Sequence, residues 1–315
     1  MAYVMILLIL LCNATKGYCG KHVSSSVKNA GDSFQFSLLR MLLCTLIGLV
    51  LIIVEGSQRF LMVEQRMLWI CILSGVANAT FLVGWLLAVQ RTTMVAIDVS
   101  LTLGSIIPSI LCAILFGEAI SLPKMFGFAL ILVATFVLAG HADQGKRIGL
   151  IGILLTLLAT VGDGMCGFAQ QLYKQFYTEA GSFANGLYYP KAVFHFYTYI
   201  FSGITFLLLF VFYRLRDAKK AGSKDMGKAL AVSIPVKVML HILIMAICLF
   251  AANYAQTLAT SDYGMSSQVI YPVLKGGSLI VVNFTAMIFF GEKITVRSLC
   301  GSLIALAGIV SMSIL

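Results

Sequence analysis

Acidic side chains are scarce in this chain: 12 Asp and Glu in 315 residues, with charged residues of both signs making up 11%. A soluble domain carries about 25% charged residues, so a single water-facing globule is excluded. No Cys-x-x-Cys pair, His-Glu-x-x-His or Cys/His ligand spacing occurs, and the four histidines are dispersed. No metal site is expected. The eight cysteines lie in or beside apolar runs and read as small buried hydrophobes. No Walker A sequence occurs, so ATP does not drive this chain directly. Gly162-Asp163-Gly164-Met165-Cys166-Gly167 fits Gly-x-Gly-x-x-Gly but sits in an apolar run with no preceding strand, so a dinucleotide reading fails. No cofactor is expected.

What is abundant is apolar length. Hydrophobic residues make up 60% of the chain and the mean hydropathy is +0.99. Ten spans of about 20 residues need roughly 200 and leave about 115 for connections. Hydropathy and turn signals place those spans near 2–23, 34–54, 66–90, 95–117, 122–140, 147–171, 187–213, 234–260, 266–290 and 296–315. The apolar start MAYVMILLILL has no Lys or Arg before Lys16 and reads as the first span rather than a signal peptide.

The net charge of +10 would suggest nucleic acid in a soluble protein. Here it reads as basic loops beside a lipid bilayer, with no nucleic-acid partner. Six basic residues crowd the link between the seventh and eighth spans: Arg214, Arg216, Lys219, Lys220, Lys224 and Lys228. This reads as a solvated cytosolic loop, with lipid headgroups as the alternative partner. It biases the loops after odd-numbered spans, which puts both termini outside the cytosol by the positive-inside rule.

The chain repeats itself. FGEAISLPKMFGFALILVA from Phe116 aligns without gaps on FGEKITVRSLCGSLIALAG from Phe290, and Leu10 to Gly20 corresponds to Leu157 to Gly167. Two copies of five spans follow, 1–141 and 146–315. Because five is odd, the second copy enters the membrane from the opposite face. The expected fold is an all-α polytopic membrane protein of ten transmembrane helices arranged as two inverted five-helix repeats.

The paired Phe-Gly-Glu-x-Ile-[Ser/Thr] junctions, each followed by a Gly-bearing final helix, resemble the EamA-like branch of the drug/metabolite transporter superfamily. The resemblance covers essentially the whole chain. It implies a central cavity lined by spans 1, 3 and 4 and their mates 6, 8 and 9, and it implies cytosolic termini, against the charge tally.

Ionisable groups inside a span cost at least about 2.5–3.5 kcal/mol on insertion scales, so each needs a partner or a wet cavity. Lys16 and Asp163 occupy equivalent positions in the two copies, and Lys275 lies between Pro272 and Gly276-Gly277. These three are the expected polar centre. Asp163 takes a proton or pairs an amine, and the lysines hold a carboxylate or phosphate. The competing reading is a structural ion pair between Asp163 and one lysine, with Lys16 snorkelling to the interface. Asn78, Gln90, Gln170, Asn253, Gln256, Gln268 and Tyr271 are supporting candidates for substrate binding, each equally suited to holding helices together. His195 and His241 read as packing residues, and Tyr188, Tyr189, Tyr197 and Tyr199 as an interfacial belt. Glu118 and Glu292 read as caps at tight turns. Gly127, Gly301, Ala305 and Gly308 form small faces suited to close packing and to a homodimer.

The expected function is secondary transport of a small organic metabolite or drug-like solute by alternating access in a cell membrane, plasma or inner, with proton coupling through Asp163. It is not expected to be an enzyme. The rival readings are a polytopic membrane enzyme and a non-transporting receptor or assembly protein.

Overall fold

Leu42, Leu46, Val50 and Ile53 recur at helical spacing, and all four are exposed, whereas Ser33, Ser37 and Arg40 on the opposite face of the same helix are buried. A soluble protein places these residues the other way round. Apolar surface turned outward, with polar groups within, suits a lipid surround. The same inversion recurs where Ile151, Leu154, Leu158 and Val161 are exposed while Gln170 and Gln171 are buried.

The computed structural model describes residues 2–24, 26, 30–89, 91, 94–117, 121–139, 149–179, 187–220, 236–265, 270–271, 273–278, 281 and 296–313. Within these, the helices are α1 (Ala2–Ser24), α2 (Ala30–Val54), α3 (Gln65–Val89), α4 (Met94–Gly104), α5 (Ile106–Phe116) and α6 (Leu122–Ala139). They continue with α7 (Leu150–Tyr177), α8 (Lys191–Lys220), α9 (Val236–Ser261) and α10 (Val296–Ser313). Residues 270–271 and 273–278 are also helical. The described residues contain no strand, and six helices are long and apolar enough to cross a membrane. The chain is therefore an α-helical membrane protein. Gln90, Glu118, His141, Gln268, Pro272, Glu292 and most of the basic link lie outside the described residues.

Three expectations need correction. The fourth span is interrupted at Ser105, which keeps right-handed helical dihedrals (φ −67°, ψ −18°) while the regular hydrogen-bond ladder breaks between α4 and α5. Pro108 has no N–H to give the Gly104 carbonyl, and its ring crowds that carbonyl. Ser105 takes up the break, its Oγ donating to Thr102 O at 2.7 Å. α7 runs on to Tyr177 rather than ending near 171, because its polar end residues are buried against neighbours instead of reaching water. Tyr189 and Tyr199 are buried rather than belted at an interface. The small faces meet within the chain: a Cβ on Gly308 would lie 2.9 Å from Gly127 O. α6 and α10 thus make the close packing expected of these faces.

The packing pairs α1 with α9, α3 with α7, α2 with α8 and α6 with α10. Glycines permit the closest of these approaches. A Cβ at Gly162 would stand 2.4 Å from Phe81 N, and one at Gly84 2.6 Å from Ala159 N, so α3 and α7 touch backbone to backbone. One end of this assembly is tied by tyrosines. Tyr177 OH donates to the Glu64 carboxylate, Tyr173 OH donates to Tyr189 O at 2.6 Å, and Glu64 N donates to Tyr189 OH at 3.0 Å. Tyr197 OH reaches Leu61 O at 2.6 Å and Tyr254 OH reaches the Glu55 carboxylate at 2.8 Å.

The contact between α3 and α7 yields a direct expectation. Gly162→Leu should destabilise the protein by about 1–3 kcal/mol, because the backbone of α3 must retreat. Gly17→Ala, where a Cβ meets nothing within 4 Å, should leave stability unchanged or raise it by up to about 1 kcal/mol. Thermal melting of both variants in detergent checks the pair.

Candidate functional site

The break at Ser105, the face of α7 bearing Asp163 and the inner faces of α1, α3 and α9 enclose a central cavity of about 180 Å3. α1 contributes Asn13 and Lys16, α2 Arg40, α3 Asn78 and Trp85, and the α4–α5 break Gly104, Ser105 and Pro108. α7 adds Asp163 and Gln170, α9 adds Asn253 and Gln256, and the helical stretch at 270–278 adds Tyr271 and Lys275. Eight of the ten sequence candidates thus line one space; the other two, Gln90 and Gln268, lie outside the described residues.

The polar groups of this space divide into those already engaged and those left over. Lys275 Nζ lies 2.6 Å from both carboxylate oxygens of Asp163, linking the 270–278 stretch to α7. Tyr271 is a hub. Its hydroxyl stands 3.0 Å from Gly167 O and 3.1 Å from Gln170 Oε1, and it accepts from Gln171 Nε2 at 3.3 Å. Gln256 Nε2 donates to the same Gln170 oxygen at 2.7 Å. Asn78 Nδ2 donates to Ser202 Oγ at 3.0 Å and Asn253 Nδ2 to Tyr199 OH at 2.9 Å, so these two amides serve neighbouring helices. Asn13 Nδ2 joins α1 to Ser278 Oγ at 3.0 Å.

Lys16 has no hydrogen bond or ion pair among the described residues, yet it feels the positive charges of Lys275 and Arg40. Arg40 was not foreseen as part of the site. It is 5% exposed, and its Nε and Nη2 atoms have no hydrogen-bond partner among the described residues. The signal was present: an arginine six residues inside the span expected at 34–54 is an intramembrane cation by position alone. The three cations against one carboxylate leave the cavity with two formal positive charges in excess.

His195 also lines the cavity. It is buried, its Nε2 is 3.0 Å from Thr257 Oγ1, and it packs between Phe194, Tyr199 and Phe250, in keeping with a packing histidine. His241 Nδ1 lies 2.7 Å from the Lys237 carbonyl on the exposed side of α9. Asp262, just past the end of α9, pairs with Lys191 at 2.8 Å. Arg214, assigned to the basic link, extends α8 and bonds Gln35 Oε1 at 3.0 Å and Asp32 Oδ1 at 3.4 Å.

No family model and no curated protein matches this chain. A solved structure described only as the crystal structure of a protein is similar to it, with a TM-score of 0.70 at 12% identity over 98% of this chain and 95% of that one. That likeness shows a shared fold.

The Lys275–Asp163 contact is open to a double-mutant cycle. Asp163→Asn and Lys275→Met should each lower the melting temperature by leaving a lone charge inside the protein. The double variant should recover about 1–3 kcal/mol of the summed loss. Additive losses would mean that the two side chains are not coupled.

Proposed function

We propose that this chain is a secondary transporter of a small organic solute, built from two inverted five-helix repeats that alternate access to the central cavity. The observation that carries the reading is the convergence of charged and amide side chains from α1, α3, α7, α9 and the 270–278 stretch on one space in an otherwise apolar bundle. These are spans 1, 3, 6, 8 and 9 of the sequence, and with the α4–α5 break they make up the cavity walls that the EamA-like resemblance implies.

The contacts support an inverted repeat. α1 packs on α9 as α7 packs on α3, which exchanges first and third spans between copies. Under the sequence alignment Asn13 corresponds to Thr160 and Ser278 to Gly104. Asn13 bonds Ser278, and the Thr160 carbonyl stands 2.8 Å from where a Cβ on Gly104 would lie. Equivalent residues thus meet equivalent residues in both copies. Such an arrangement lets two packings of similar energy open the cavity to opposite sides. Opening at the tyrosine-tied end would part the bonds to Glu64 and Glu55.

Proton coupling is assigned to Asp163. Protonating its carboxylate would release Lys275 and change the charge of the cavity wall. A cell-membrane location fits this reading, and the basic loops place the link between α8 and α9 on the cytosolic side.

Reconstitution into proteoliposomes tests both parts. A panel of labelled metabolites should contain a solute whose flux exceeds that of empty vesicles and responds to an imposed pH gradient. Asp163→Asn should abolish that response. Full transport with unaltered pH dependence in Asp163→Asn removes the coupling role; no flux for any solute removes the transport reading.

A further inference from the structure

Lys275 is the cation the sequence singles out most clearly, and its ammonium is already occupied by Asp163. The unanswered charge lies elsewhere on the wall. Arg40 is held 5% exposed with Nε and Nη2 unpartnered among the described residues, and it lines the cavity. Lys16, also on the wall, is without a partner there and within reach of Arg40's charge. Two more donors, Ser33 Oγ and Ser37 Oγ, are buried and unpartnered on the same face of α2 as Arg40, one and two turns toward the helix start. Buried donors are almost always satisfied. A guanidinium and an ammonium lining one cavity, with no carboxylate bonded to either among the described residues, are complementary to an oxyanion.

The neighbouring wall is apolar and aromatic. Phe81, Leu82, Trp85, Leu101 and Leu249 line the same space. The Trp85 ring would stand 2.9 Å from a Cβ on Gly20, one helical turn from Lys16 on α1. A ligand with its anionic end at Lys16 and Arg40 would therefore rest its hydrocarbon part against Trp85.

We infer that the cavity takes small organic acids, holding a carboxylate or phosphate group between Lys16 and Arg40 and an apolar or aromatic body against Trp85. The inference rests on the transport reading only for what becomes of the ligand; the site itself is a binding claim. Arg40 and Lys16 both line the cavity as cations without a carboxylate partner among the described residues, so the pair favours an oxyanion over a neutral carbonyl. Asp163, neutralised by Lys275, adds no repulsion.

Trp85 provides the readout. Trp69 is the second of two tryptophans and is 62% exposed, so Trp69→Phe leaves Trp85 as the sole emitter. In nanodiscs of neutral lipid, benzoate and phenyl phosphate should change Trp85 fluorescence saturably. Benzamide and benzylamine should bind at least about tenfold more weakly, and whichever acid binds tighter names the oxyanion. Arg40→Gln and Lys16→Gln should each weaken the acid by about tenfold or more, a loss of about 1.4 kcal/mol. Arg40→Lys should retain part of the affinity. Arg40→Gln should melt at or above the temperature of the parent, since it removes an unanswered buried charge, whereas an arginine with a purely structural role would lower it.

Equal binding of the amide, no saturable response to either acid, or unchanged acid affinity in both glutamine variants overturns the inference. If Arg40→Gln does not fold, the Lys16→Gln variant and the acid-to-amide ratio still decide it. Flux measurements on the same variants in proteoliposomes separate the two readings. Acids that bind without crossing the bilayer leave the site standing and remove transport; solutes that cross regardless of charge do the reverse.

Discussion

Hydrocarbon offers no hydrogen bonds, so every polar group inside a membrane bundle must find its partner within the bundle or in a cavity that admits water or ligand. The described structure is organised by that requirement. α2 shows it in one helix: Leu42, Leu46, Val50 and Ile53 face outward, and Ser33, Ser37 and Arg40 face inward. The amides of Asn78 and Asn253 are spent on Ser202 and Tyr199, which hold α8 against α3 and α9. Tyr271, Gln170, Gln171 and Gln256 bond to one another, with Gln171 Oε1 left unpartnered among the described residues. What remains unpaired among the described residues includes Lys16 and Arg40 on the cavity wall and the hydroxyls of Ser33, Ser37 and Thr198.

The same requirement links packing to motion. α3 and α7 approach backbone to backbone at Gly84 and Gly162. The tyrosine bonds to Glu55, Glu64, Leu61 and Tyr189 form a separate set at one end of the molecule. A close-packed helix pair thus stands beside a set of side-chain hydrogen bonds. Bonds between side chains exchange with water at little net cost, about 0.5–1.5 kcal/mol each, whereas interlocked backbones do not.

Much of the helical frame was legible in the sequence, because apolar runs and turn residues are local signals. The bounds of α1, α3, α6, α9 and α10 follow the hydropathy closely. The failures were places where a local signal was overruled. Pro108 and Ser105 divide a continuous apolar run into α4 and α5, and the polar residues ending α7 remain helical because Tyr271 and its neighbours receive them. Tyr189 and Tyr199 resemble belt residues in composition but are hydrogen-bonded inside.

The sequence by itself determined that this chain is helical and belongs in lipid, and that Lys16, Asp163 and Lys275 are charges needing a reason. Those conclusions rest on transfer free energy and periodicity, which act residue by residue. Only the tertiary structure decided which charges answer one another. Pairing Lys275 with Asp163 while leaving Lys16 beside Arg40 depends on where four helices converge. A distance of 2.6 Å between residues 112 positions apart cannot be read from either one's neighbours along the chain.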